Sequence, residues 1–182
     1  LWHCAAKLNS GRVLSLSDEQ RLKLTVAALD VIRQIDPKTP VVVGFDQPWA
    51  EYMAQANTDV APVHYADALA RANLGLGGLA LHIDWGYRPG GTMPRHPLEL
   101  SQLIDQWSLL GLPLVLFFTM PSSLDAGDDK PAKVVPLPGG PFPQWDAAAQ
   151  ARLASTLVEI CWCKQSVQGV FWNQTFDDHP RG

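Results

Sequence analysis

The chain has 182 residues, 14 Lys and Arg against 18 Asp and Glu, and a formal charge of -4. That length suits one domain of ordinary size, and 47% hydrophobic residues exclude a disordered chain. An isoelectric point near 5.6 and scattered basic residues argue against a nucleic-acid partner, and no apolar run reaches the roughly 18 residues of a membrane span.

In chain order the pattern alternates between helical and extended segments. Ser17-x-x-Gln20 is a capping box, with Asp18 and Glu19 in the first turn. Behind it Leu22, Val26, Leu29 and Ile32 recur at helical spacing until Asp36-Pro37 stops the run. Val41 to Phe45 is a short β-branched apolar run, the signature of a strand buried on both faces. A second helix is predicted over about 63–72 and a second strand over 79–83. A third helix follows over about 98–110, with Leu100, Leu103, Ile104 and Trp107 on one face. Gly111-Leu112-Pro113 turns the chain into a third strand, 114–118. A Pro- and Gly-rich loop covers 121–143, a fourth helix about 147–164, and a fourth strand 169–172.

Strands alternating with helices imply βαβ units and a parallel sheet. A doubly wound sheet and part of a (β/α)8 barrel both fit. A complete barrel needs about 250 residues, so this chain would supply strands four to eight, with Leu1 to Ala6 as the end of the first. The chain starts Leu-Trp-His without Met or signal peptide and stops at Arg181-Gly182. The expectation is one partial domain over 1–182, a piece of a longer protein whose N-terminal half completes the barrel. Three cysteines are too few for a disulfide scaffold, and the odd count mildly favours a reducing compartment; the compartment itself stays open. Cys161 and Cys163 are expected in or at the end of a helix as small buried hydrophobes, and Trp107 and Trp162 as core residues.

Polar and aromatic residues follow each strand at once. After the first come Asp46, Gln47, Trp49 and Glu51; after the second, Asp84, Trp85 and Tyr87; after the third, Thr119; after the fourth, Asn173, Gln174 and Asp177. In parallel α/β folds the carboxyl ends of strands share one face, and that face holds the site. The opposite turns are bland. Sugar rings stack their C–H faces on aromatic rings and need amides and carboxylates for their hydroxyls. Trp49, Trp85, Tyr87 and Trp172 supply rings, Gln47, Asn173 and Gln174 amides, and Asp46, Glu51, Asp84 and Asp177 carboxylates. The same residues could also pack and pin loops. No histidine pair has metal-helix spacing, so no catalytic metal is expected, and His82 reads as a satisfied core histidine. Gly75-x-Gly77-Gly78 precedes a strand and cannot be a dinucleotide fingerprint, so no cofactor is expected. The absence of G-x-S-x-G disfavours a serine hydrolase.

The strand-end motifs VVGFDQPWAEY (42–52), IDWGYRPGG (83–91) and GVFWNQ (169–174) resemble the C-terminal half of the barrel in divergent relatives of glycoside hydrolase family 10, the xylanase family. The resemblance covers nearly the whole chain as an order of elements and short motifs. It implies a TIM barrel acting on a polysaccharide, with Trp172 over the cleft at the end of the eighth strand. The family's acid/base Glu belongs in a W-x-x-x-N-E motif, where this chain has Trp2 to Lys7. Its nucleophile belongs in T-E-x-D, where this chain has Thr119-Met120-Pro121-Ser122. Neither glutamate is present.

Glycoside hydrolysis needs two carboxyl groups flanking the bond. If this chain is active, Glu51 and Asp84 are the expected pair, with Gln47, Trp49, Trp85, Tyr87, Trp172, Asn173 and Gln174 binding substrate. The competing reading is a carbohydrate-binding or structural barrel without catalysis. A third is another sugar-metabolising barrel whose chemistry lies in the other half. The first two differ in one observable: a catalytic pair faces across one cleft, whereas structural carboxylates bind backbone or cationic partners.

Overall fold

The structure, a computed structural model, describes residues 1–11, 14–54, 58–88, 90–121, 133–134 and 145–173. Its main sheet contains β1 (Trp2–Cys4), β2 (Val41–Asp46), β3 (Gly78–Asp84), β5 (Leu114–Thr119) and β7 (Val167–Trp172). A separate pair joins the short β4 (Tyr87–Arg88) to β6 (Lys133–Val134) in antiparallel register. The helices α1 (Asp18–Ile35), α2 (Pro62–Arg71), α3 (Pro97–Ser108) and α4 (Ala147–Trp162) each lie between successive strands of the main sheet.

Those strands are ordered β1-β2-β3-β5-β7, every adjacent pair parallel. The spatial order is the chain order, without the reversal that defines a doubly wound sheet. Right-handed crossovers on such an order carry every helix to the same side. The core bears this out. Val41, Val43, Phe45, Leu79, Leu81, Ile83, Leu114, Leu116 and Phe118 cluster with Leu29, Leu69, Ile104, Trp107, Leu153 and Leu157 from the helices. Val42, Ala80 and Val115, one residue out of phase, form a separate cluster with Phe117 that contains no helix residue. On that second face a row of rings crosses the sheet. His3 and His82 stack at 4.9 Å, His82 and Phe117 at 5.0 Å, and Phe117 and Phe171 at 5.0 Å.

Local chemistry sets the helix boundaries. The Ser17 side chain accepts from Gln20 N–H while Gln20 accepts from Ser17 N–H, so the expected capping box forms. His96 and Glu99 cap α3 in the same reciprocal way, with Pro97 in its first turn. Asp146 Oδ1 accepts from Ala149 N–H to start α4. Asp36 stops α1: its Oδ1 accepts from the amides of Lys38 and Thr39, and its Oδ2 from the Trp2 indole. These hydrogen bonds, that from Thr39 first, hold its carboxyl well below the usual carboxylate range.

The two ends of the sheet differ from its middle. Val158 and Trp162 on α4 and Val170 and Phe171 on β7 are exposed, Trp162 to 88%. Across the sheet, Trp2 on β1 and Leu24, Val31 and Ile35 along one face of α1 are exposed as well. Two expectations are corrected here. Trp162 lies in the last turn of α4 and points away from the core, whereas Trp107 is fully buried. Cys161 is buried, and burial pushes its thiol up to about 12, but Cys163 caps the helix and is exposed. No helix among the described residues is long and apolar enough to cross a membrane.

Candidate functional site

The carboxyl ends of the parallel strands lie on one side, and the backbone there is unusual. Among the described non-glycine residues with positive φ, Ala5 (50°), Lys7 (62°), Gln47 (44°) and Ala50 (69°) lie in the loops after β1 and β2. Side-chain-bearing residues rarely adopt this region, and such conformations collect at functional sites and switch points. Buried Asn9 fixes the first two loops together: its amide donates to Asp46 C=O at 2.9 Å and accepts from Asp46 N–H at 2.8 Å.

Two side-chain networks follow. The first crosses the strand ends on the face of the ring row. Lys7 Nζ donates to Asp84 Oδ2 at 2.5 Å, Thr119 Oγ1 donates to Asp84 Oδ1 at 2.6 Å, and Asn173 Nδ2 donates to Thr119 Oγ1 at 3.1 Å. Each residue ends or follows a different strand of the sheet. Beneath it His82 Nε2 lies 3.1 Å from His3 Nε2, and Nδ1 is buried without a partner. Burial first, and then the nearby Lys7 ammonium, push His82 down to about 3. His82 is therefore a neutral core histidine, as expected, but only one ring nitrogen is satisfied.

The second network lies beyond the ends of β2 and β3. Glu51 Oε1 accepts from Arg95 Nη2 at 3.2 Å and from Met93 N–H at 3.4 Å. Arg95 Nη1 donates to Glu99 Oε1 at 3.1 Å, and the guanidinium carbon sits 5.0 Å from the Trp49 ring centroid. Trp49 in turn meets Trp85 edge-on at 6.4 Å.

The structure thus brings Trp49, Glu51 and Trp85 together, and joins Asp84 to Asn173 through Thr119. It places Glu51 and Asp84 in separate networks, each with its own cation. Trp85 is 1% exposed, so its ring faces are covered by protein. Gln47 is also buried, in its left-handed turn. Trp172 is half-buried and packs on Phe118, on the helix side of the sheet. With Val158, Cys161, Trp162, Val167 and Val170 it lines a groove of about 550 Å³ between α4 and β7. Asn173 is exposed just after β7, and Tyr87 lies in β4, opposite Val134. Gln174 and Asp177 lie outside the described residues.

Asn9, Thr92 and Arg95 were not among the residues that sequence patterns single out. Asn9 lies in a single 3-10 turn (Leu8–Ser10) and Arg95 in a loop, both too short for a period, and their partners Asp46 and Glu51 are some forty residues away. Among the described residues no three His, Cys, Asp or Glu side chains form a group able to hold a metal ion. No protein-family model matches the chain, and no curated protein is significantly similar to it.

Proposed function

We propose that the chain is the C-terminal part of a (β/α)8 barrel related to glycoside hydrolase family 10, and that its strand-end face binds a polysaccharide without cleaving it. The barrel reading is supported by the sequential parallel order with helices on one face. It is supported too by sheet ends that leave apolar residues bare on helix and strand alike: Val158, Trp162, Val170 and Phe171 at one end, Leu24, Val31, Ile35 and Trp2 at the other. One added helix or strand would cover only one of these layers. Further βα units would cover both, and three of them would complete eight strands.

The observation that carries the binding reading is the engagement of the two carboxyl groups. A general acid must present a proton, and a nucleophile a free oxygen, to the same glycosidic bond. Asp84 accepts at both oxygens, from Lys7 and Thr119, so it has no O–H to give. Glu51 is held through Oε1 by Arg95 and a backbone amide, in a network that does not include Asp84, so the two carboxyls do not act as one pair. Lys7 and Met120 stand where the family resemblance would put its glutamates. The half-buried Trp49 ring and the exposed Asn173 amide offer a ligand stacking and hydrogen bonding without catalysis.

The test is affinity electrophoresis and calorimetry of the chain against soluble xylan and mixed-linkage β-glucan, with a reducing-end assay in parallel. Binding without release of reducing ends is expected, and Trp49→Ala should weaken it by about tenfold or more. Release of reducing ends that disappears in Glu51→Gln or Asp84→Asn would establish the hydrolase instead. Absence of binding to every glycan would remove the carbohydrate reading and leave a structural barrel.

A further inference from the structure

Four buried polar atoms beyond the ends of β2 and β3 have no hydrogen-bond partner: Glu51 Oε2, Trp85 Nε1, Thr92 Oγ1 and Arg95 Nε. The four residues are linked through side-chain and backbone contacts. Glu51 and Arg95 are ion-paired at 3.2 Å, and Trp85 and Thr92 are bridged through their backbones. Trp49 joins the two halves, edge-on to Trp85 and under the Arg95 guanidinium. Trp85 and Thr92 are 1% and 0% exposed. Folded proteins pair nearly all such groups, because a buried polar atom without a partner has lost its water and gained nothing. Four in one cluster ask for an occupant.

The four atoms specify its chemistry. The indole and guanidinium N–H groups only donate, a carboxylate oxygen only accepts, and the threonine hydroxyl does either. A carboxylate or phosphate would meet the charge of Glu51, a cation would meet that of Arg95, and an apolar group would satisfy none of them. An alcohol oxygen accepts up to two hydrogen bonds and donates one. We infer that this cluster is a recognition pocket for two adjacent hydroxyls of a neutral polyol: Trp85 and Arg95 donate to one, which donates to Glu51, and Thr92 pairs with its neighbour. Trp49 offers its ring to the adjoining C–H face. The inference rests on the carbohydrate-binding reading and deepens it. It moves recognition to the ends of β2 and β3, away from Trp172, and it uses Trp85 through its N–H edge, its ring faces being covered.

The experiment follows the indole N–H signals of the ¹⁵N-labelled 182-residue chain, that of Trp85 identified with Trp85→Phe. Xylohexaose and glycerol are titrated separately. Xylohexaose is expected to shift the Trp85 signal saturably. Thr92→Val should weaken that binding about tenfold at unchanged melting temperature, the loss of roughly one hydrogen bond. Arg95→Lys, which keeps the charge and removes the Nε donor, should do the same. If xylohexaose binds and shifts other indoles while Trp85 stays still, the pocket is overturned and the carbohydrate-binding reading stands. If glycerol shifts Trp85 and xylohexaose does not bind, the pocket stands and the polysaccharide reading falls. If neither ligand moves Trp85, the pocket is overturned, and a long-lived water seen at its N–H would identify an internal water as the sole occupant.

Discussion

β2 and β7 are both six-residue strands rich in valine and phenylalanine, yet every residue of β2 is buried and no residue of β7 is. The difference lies in neighbours. β2 has β1 and β3 on its flanks and helices over one face, whereas among the described residues β7 pairs with β5 alone. Burial is thus a property of a strand's place in the sheet, and the same apolar letters can build a core or face open space.

Substitutions can break this contrast or sharpen it. The largest effect is expected at Phe45, which is fully buried against Tyr65 and Trp107. Phe45→Ala should cost about 3–5 kcal/mol in urea unfolding. A loss below about 1 kcal/mol would mean that the middle of the sheet is packed no better than its edge.

The next effect comes from His82, also on a central strand. Its folded pKa of about 3 lies below the ordinary 6.5, so the unfolded chain takes up the proton first as the pH falls. The stability is fully present above pH 6.5 and is lost progressively between 6.5 and 3. Burial lowers His3 in the same direction. From pH 7.5 to 4.5 the wild type should lose roughly 2 kcal/mol more than His82→Phe, which keeps a ring in the stacked row. Equal losses in the two proteins would show that His82 titrates freely in the fold.

Two glycines then compare centre and edge directly. A Cβ at Gly78, which opens β3, would lie 2.7 Å from the Pro113 carbonyl oxygen, a backbone atom that cannot turn aside. A Cβ at Gly169 on β7 would lie 3.1 Å from the Phe171 ring, an exposed side chain that can. Gly78→Ala should cost about 1–3 kcal/mol and Gly169→Ala less than about 0.5 kcal/mol. Smallest of all is Trp162→Gln on the outer end of α4, expected within about 0.5 kcal/mol of wild type in the isolated chain. A large destabilisation there would mean that Trp162 is covered, by another copy of the chain or by something else.

The alternation of elements was legible because it is written locally. The capping box at Ser17, the stop at Asp36-Pro37 and the turn at Gly111 to Pro113 each act within a few residues, and α1 and β5 lie where those signals put them. The parallel sheet followed from alternation alone. The two-residue β4 and β6 were missed: they are too short for a period, and they pair across more than forty residues. Trp162 was misread for the reason that separates β2 from β7. Helical phase places it near the apolar stripe of α4, but phase does not say whether another element stands opposite.

At the strand ends the sequence supplied residue types, not partners. Asp84 and Glu51 stood out as acids on consecutive loops. The cations that hold them, Lys7 and Arg95, lie 77 and 44 residues away and were placed by the fold. The networks therefore became visible only with coordinates, and with them the difference between an acid that can donate a proton and one already engaged as an acceptor.

The agreement of strand order with chain order has a kinetic consequence. Trp2 pairs with Val41, Val42 with Gly78, Leu79 with Leu114, and Leu114 with Val167, so each strand docks on the one completed before it. The first three closures span 35 to 39 residues and the last 53, and because the entropic cost grows only with the logarithm of length the four costs are close. The sheet can lengthen at one edge as the chain leaves the ribosome, without opening a pair already made. A chain halted after β5 would hold β1, β2, β3 and β5 already paired, whereas deleting β2 would leave β1 and β3 without the strand that joins them.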